Sequence, residues 1–178
     1  WGIILALYYQ KRIPKTPVYP LNDDNQINEA HFGKDYWKTD EQILKEQLQP
    51  TIITCDEKKL IGIKIRMSLV ENRTFELWSH FMPHRHEIQH QVCQELISMQ
   101  VYDGALNLGN PQQEFNKWAT VEVSSFDNIP EGMESFILPS SLYAVFHYKG
   151  HPSDYRIYNY IFTNWLPNSA YELDERPF

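Results

Sequence analysis

Apolar and polar residues alternate in two stretches of the chain, which is typical of a strand with one buried face. In LIGIKIRM, residues 60–67, the isoleucines share one face. The clearest alternation is FNKWATVEV, residues 115–123. One face of this strand carries Ala119, Val121 and Val123, and the other face carries Trp118, Thr120 and Glu122. Runs rich in β-branched and aromatic residues predict further strands, namely TIITC, LISMQVY, MESFILPSSLYAVFHYKG and YELDERPF.

Two stretches have helical spacing instead. The first begins at Thr74, a residue suited to an N-cap, and we expect it to continue through Ile88 and Val92, with Pro83 either kinking or splitting it. The second precedes Pro167 and places aromatic rings on one face at three- and four-residue steps, at Tyr155, Tyr158, Phe162 and Trp165. Such a helix is either an ordinary core element or the wall of an aromatic pocket.

The predicted order of elements is strand, helix, strand, strand, followed by strand, helix, strand. This order predicts an α+β fold with duplicated β-α-β-β units, related by pseudo-twofold symmetry around an antiparallel sheet. The second unit, as read here, lacks its last strand. We assign residues 51–178 to this domain.

Residues 1–50 have a different texture and an unknown role. The apolar run WGIILALYY, residues 1–9, is too short for a membrane span, which needs about 20 apolar residues. It predicts a buried helix or strand, with the tail of a membrane anchor as the alternative. Three prolines and LNDDNQ then read as a linker. Thr39 and Gln42 have capping-box spacing for a short helix that ends before Pro50.

Charge and composition narrow the function classes. The formal net charge is -7 and 42% of the 178 residues are hydrophobic. Because phosphate binding needs clustered Lys and Arg, we expect no direct nucleic-acid partner. Cys55 and Cys93 form no CxxC pair, which argues against a cysteine zinc site and fits a cytoplasmic protein. We expect no cofactor and no metal. We expect no membrane partner unless residues 1–9 belong to an anchor.

An ordered set of motifs in the second half resembles the GyrI-like effector-binding domain, which also occurs behind AraC- and MerR-type DNA-binding domains. The residues that carry the resemblance are Phe115–Val123, Pro130 with Gly132, Leu138 with Pro139, residues 143–146, Gly150, residues 165–167, Ser169, residues 171–173 and Pro177. Residues 76–78 and Phe81 also look like the first helix of such domains. The resemblance covers residues 51–178 and includes no helix-turn-helix domain.

The resemblance implies a ligand pocket between two β-α-β-β halves. Relatives bind lipophilic cations or other hydrophobic small molecules against stacked aromatics and a buried glutamate. Some relatives hydrolyse cyclopropane-containing compounds, and others bind protein partners. The sequence departs from the pattern where Thr120 stands in place of a usual glycine. The pocket glutamate usually follows the positions of Pro177 and Phe178, so it is not assigned here.

We therefore predict binding of a hydrophobic or cationic small molecule by rings that either line a pocket or simply fill the core: Trp118, Tyr158, Trp165, Tyr102 and Phe146. The alternatives are a hydrolase of strained or electrophilic small molecules and a module that binds a partner protein. For a hydrolase, Glu122 and Glu76 are the candidate catalytic bases. The ordinary role of Glu122 is a solvated strand residue, and that of Glu76 is to favour a helix N-terminus. We read His80, His84, His86 and His90 as surface residues rather than metal ligands.

Overall fold

A computed structural model of the chain describes residues 2–9, 45–46, 48–148 and 155–174, and gives the backbone alone for residues 2–9 and 155. The described strands are β1 (Gly2–Tyr9), β2 (Thr51–Cys55), β3 (Lys58–Met67), β4 (Ile97–Tyr102), β5 (Phe115–Val123), β6 (Glu134–Leu138), β7 (Ser141–His147) and β8 (Tyr171–Leu173). All their pairings are antiparallel, which confirms the predicted α+β class and the antiparallel sheet.

Sheet 1 has the strand order β4-β5-β3-β6 and carries helix α1 (Thr74–His84) on one face. The predicted alternation of β5 is confirmed. Ala119, Val121 and Val123 pack with Leu77 and Phe81 of α1, and Trp118 belongs to a separate cluster. The face of sheet 1 that carries Trp118 is called the non-helix face below.

Sheet 2 has the strand order β2-β7-β1-β8. The N-terminal run that precedes the linker forms the strand β1, which lies between β7 and β8. It pairs with β7 over Gly2 to Leu7 and with β8 over Leu7 to Tyr9. Among the described strands, β8 has β1 as its only partner. The N-terminal strand therefore joins the same sheet as the last strand.

A single antiparallel register joins the two sheets. Cys55 of β2 lies opposite Ser141 of β7. Lys58 of β3, three residues after Cys55, lies opposite Leu138 of β6, three residues before Ser141. The strand region over residues 51–67 is thus interrupted between Cys55 and Lys58, and the strand region after Met133 breaks at the matching place.

Helix α1 is shorter than predicted. It ends at His84, directly after Pro83, and Arg85–Glu87 form one 3-10 turn. Ile88 is already extended, with φ of -75° and ψ of 118°. The expected continuation through Val92 was wrong, because a proline removes one hydrogen-bond donor and crowds the preceding turn. At the other end, Thr74 is the first helical residue and Arg73 stands at the N-cap position, and the Thr74 N–H donates a hydrogen bond of 3.0 Å to Asn72 Oδ1.

The second helical stretch changes type along its length. It runs as α2 (Tyr155–Asn159), a π-helical segment (Tyr160–Trp165) and α3 (Leu166–Asn168). Ile157, Tyr160 and Ile161 are buried against Phe146, whereas Tyr158 is exposed.

The strands β3 and β5 approach closely at one point on the non-helix face. A Cβ atom on Gly62 would lie 2.0 Å from the Ala119 carbonyl oxygen and 2.8 Å from Thr120 Cγ2. Thr120 is fully buried, and its hydroxyl donates a hydrogen bond of 3.2 Å to the Ile97 carbonyl. The threonine side chain thus fits because the residue opposite it has none.

Several sequence-based expectations fall outside the described residues. These are the proline-rich linker, the capping pair Thr39 and Gln42, Gly150, Pro177 and Phe178. Within the described part of the chain, no helix has the length and apolar character needed to cross a membrane.

Candidate functional site

The non-helix face of sheet 1 has an apolar centre. Leu60, Met99 and Trp118 are buried there, and partly buried side chains surround them, namely Ile97, Val101, Phe136 and Leu138. The alternation of β3, β4, β5 and β6 brings these residues together because each strand contributes every second side chain to this face. The arrangement offers a mainly aliphatic floor with one indole and one phenyl ring.

Trp118 is the central ring of this face. It lies opposite Lys64 on β3 and opposite Met99 on β4 in the strand register. The Phe136 ring centroid is 5.4 Å from that of Trp118, with the planes at 59°. The Lys64 ammonium lies over the indole, 5.1 Å from its centroid. The ring faces attract cations, so this contact is favourable in itself.

Ion pairs surround the apolar centre. Lys64 Nζ lies 2.7 Å from a Glu134 carboxylate oxygen, and Lys58 pairs with Glu122. Arg66 reaches two carboxylates, Asp103 at 2.7 Å and Glu114 at 3.1 Å. The four carboxylates on the rim of this face are therefore already paired with three basic side chains.

Glu122 lies on the same face as Trp118, as predicted from the alternation of β5. Its side chain is 19% exposed and forms the ion pair with Lys58. Burial acts to lower the pKa of Lys58, but the hydrogen bond to Glu122 and the charge of that carboxylate raise it above the ordinary value. Glu122 is thus an ion-paired acceptor rather than an unoccupied base.

Glu76 lies in the first turn of α1 and is bound by Arg73 through both carboxylate oxygens, at 2.8 and 2.6 Å. The hydrogen bonds from Arg73 hold the pKa of Glu76 below its usual value. A general base for water at neutral pH works best with a raised pKa. The environment of Glu76 acts in the opposite direction.

Two of the predicted lining rings contact each other on sheet 2. Trp165 meets Phe146 edge to face, with centroids 5.0 Å apart, and stacks on Tyr171 at 6.4 Å. Phe146 is fully buried in the cluster that includes Leu48 and Ile161. These rings pack between the second helix and sheet 2, in a different cluster from Trp118.

The remaining two predicted rings lie apart from both groups. Tyr102 packs against Phe115, with centroids 4.9 Å apart, and burial raises its pKa to about 12. Tyr158 is 38% exposed, although desolvation of its hydroxyl raises its pKa. Of the five predicted lining residues, Trp118 is therefore the one on the non-helix face of sheet 1.

An open cleft of about 540 Å³ lies at the end of α1. Its walls are Met82, Arg85, His86, Gln91, Val92, Cys93 and Gln94. None of the predicted lining rings or catalytic carboxylates belongs to it. In the described residues, no group of three or more His, Cys, Asp and Glu side chains is placed to hold a metal ion.

Sequence reasoning did not single out Lys64, Phe136 or Glu134. The alternation signal that identified Trp118 also placed Lys64 on the face opposite the isoleucines of β3. The strand register, which the pattern does not supply, sets Lys64 beside Trp118 and Glu134.

Three comparisons place the chain among known proteins. A search of curated proteins finds no match. Among solved structures, the chain is similar to an integron cassette protein, VCH_CASS2, from the mobile metagenome of Vibrio cholerae. The match has 9% identity and a TM-score of 0.43, and covers 73% of this chain and 92% of that chain. The family model described as Cass2, integron-associated effector binding protein, matches residues 51–177. The chain therefore belongs to the Cass2 family of integron-associated effector binding proteins.

Proposed function

We propose that this protein binds a small hydrophobic or cationic organic molecule on the non-helix face of sheet 1, with Trp118 as the main contact. The family match supports a role in effector binding. The observation that carries the choice of site is the Lys64 ammonium over the Trp118 ring, since it shows that this ring accepts a cation. The neighbouring Glu134 carboxylate is suited to balance the ligand charge.

For the position of the site we use the GyrI-like interpretation of the fold. In that reading the two sheets belong to two related halves, and β1 takes the place in sheet 2 that β5 has in sheet 1. Both strands lie second from the edge, between two antiparallel partners. In that interpretation the second wall of the site would be the face of β7 that carries Tyr143 and Val145.

The test is a binding titration with a matched pair of tryptophan variants. Phenyltrimethylammonium serves as the probe and isothermal calorimetry as the readout. Trp118→Leu should weaken binding by about 2- to 30-fold, which corresponds to about 0.5 to 2 kcal/mol for one cation–ring contact. Trp165→Leu removes an indole from the sheet 2 cluster and should leave the affinity within about twofold of wild type.

Three outcomes would redirect the proposal. Loss of binding in Trp165→Leu with retention in Trp118→Leu would move the site to sheet 2. Loss of probe binding in Arg85→Gln, with binding retained in both tryptophan variants, would move the site to the cleft at the end of α1. Turnover of the probe class that disappears in Glu122→Gln or Glu76→Gln would establish the hydrolase alternative.

A further inference from the structure

We propose that Lys64 is an internal competitor for the effector: its ammonium occupies the cation position on Trp118, and a cationic effector binds by displacing it. This inference rests on the proposed function of the same face. It assigns Lys64 a role in specificity. The site then selects ligands that compete successfully with the Lys64 ammonium for the Trp118 ring.

The geometry gives Lys64 this position directly. It is the strand partner of Trp118 across β3 and β5, and its ammonium lies 5.1 Å from the indole centroid. Trp118 itself is only 4% exposed. The Lys64 side chain, by contrast, is 38% exposed. The Lys64 side chain thus lies over the indole and is itself partly open to solvent.

The contacts that hold Lys64 in place are of a weak class. One is the cation–ring contact, and the other is the ion pair with Glu134, whose side chain is 53% exposed. A cation–ring contact at an exposed site shifts an equilibrium by about two- to fivefold, and exposed ion pairs contribute no more than that. A ligand that makes the same two contacts and adds apolar burial against Phe136 and Met99 has enough advantage to displace the lysine.

Lys58 provides a matched control on the same face of the same strand. It also forms an ion pair with a carboxylate, that of Glu122, and its side chain is similarly exposed at 32%. Among the described residues, no aromatic ring lies under its ammonium, in contrast to Lys64. Lys58→Ala and Lys64→Ala therefore remove the same charge and the same side chain from one strand face, and differ in whether an indole is uncovered.

The first experiment compares these two variants in the full chain by calorimetry. The probes are phenyltrimethylammonium and its neutral isostere tert-butylbenzene. Lys64→Ala should bind the cation about tenfold more tightly than wild type, or about 1.4 kcal/mol. Lys58→Ala should stay within about twofold of wild type, which shows that a change in net charge alone is insufficient. Equal effects of the two substitutions would overturn the inference.

The second experiment observes the Lys64 side chain directly, first in the free protein and then with the probe added. The ε-methylene protons of Lys64 should show an upfield ring-current shift in the NMR spectrum of the free protein, and Trp118→Leu should abolish it. Added phenyltrimethylammonium should also abolish it. A Lys64 signal without the shift overturns the inference, and so does a shift that persists when the probe is bound.

The two levels of the proposal fail in different ways. If the cation binds with the expected dependence on Trp118 while Lys64 neither moves nor affects affinity, the effector site stands and the competitor role is wrong. If no probe binds to wild type or to Lys64→Ala, the effector site itself is wrong, and the competitor role is wrong with it.

Discussion

Gly62→Ala provides the sharpest test of the packing of sheet 1. The added Cβ would lie 2.0 Å from the Ala119 carbonyl oxygen and 2.8 Å from both Thr120 Cα and Cγ2. A normal carbon–oxygen contact is more than 1 Å longer than the first distance, so β3 and β5 must separate at the centre of the sheet. Overpacking in a core costs about 1 to 3 kcal/mol. Since the obstacle is backbone on the paired strand, we expect about 3 kcal/mol.

The assay is urea unfolding followed by tryptophan fluorescence, with thermal unfolding as a second readout. A loss of about 3 kcal/mol should lower Tm by about 6 to 12 °C for a chain of this size. Gly104→Ala is the matched control, because a Cβ there meets no atom within 4 Å. It should change stability by less than about 1 kcal/mol.

A double variant separates the two sources of the clash. Gly62→Ala with Thr120→Gly removes the Cγ2 contact but leaves the Ala119 carbonyl in place. It should therefore recover little of the lost stability. The reasoning is refuted if Gly62→Ala is as mild as Gly104→Ala, or if the double variant is as stable as Thr120→Gly alone.

The remaining predictions concern three other positions. Burial lowers the pKa of Lys117 from 10.5 to about 8, so the unfolded chain binds more protons between these pH values and stability rises with pH there. Lys117→Met should remove that rise, worth up to about 3 kcal/mol, and stabilise the protein below pH 8, as measured by urea unfolding at pH 7 and pH 10. Thr120→Val loses the hydrogen bond to the Ile97 carbonyl and should cost about 1 kcal/mol in the same assay, whereas no loss would show that the bond is unimportant. Leu7→Pro breaks β1 where it pairs with both β7 and β8. Hydrogen exchange at Tyr171–Leu173 should accelerate by about tenfold or more, equivalent to about 1.4 kcal/mol, and unchanged exchange would contradict the pairing.

The prediction of the helices shows where periodicity succeeds and where it fails. The start of α1 followed from Thr74, a residue type favoured at helix starts. Its end did not, because Val92 fits the helical spacing on paper although the chain turns after Pro83. In the second helix, Ile157 and Ile161 are fully buried, Tyr158 of the predicted line of rings is exposed, and the helix becomes π-helical from Tyr160. A change of helix type depends on tertiary packing and leaves no mark on a fixed 3.6-residue pattern.

The candidate rings illustrate a similar limit. Their residue types predicted aromatic clusters, and four of the five pack against other rings, namely Trp118, Tyr102, Phe146 and Trp165. Which rings share a cluster depends on the strand and helix faces that meet. Trp118 joins Phe136 on sheet 1, and Trp165 joins Phe146 and Tyr171 on sheet 2. Composition cannot separate these two groups, because both consist of alternating or helically spaced aromatics.

The amino-acid sequence by itself determined the α+β class, most of the strands and which side chains share a face of β5. These properties depend on local periodicity and on the positions where proline and glycine interrupt helices and strands. Both signals lie in residues that are neighbours in the sequence. Tertiary structure alone decided that Gly2–Tyr9 lies between β7 and β8 and that Lys64 covers Trp118. Both results depend on strand register between segments far apart in the chain. A shift of one residue in that register would move every side chain to the other face, and the free energy that selects one register comes from packing the assembled sheet.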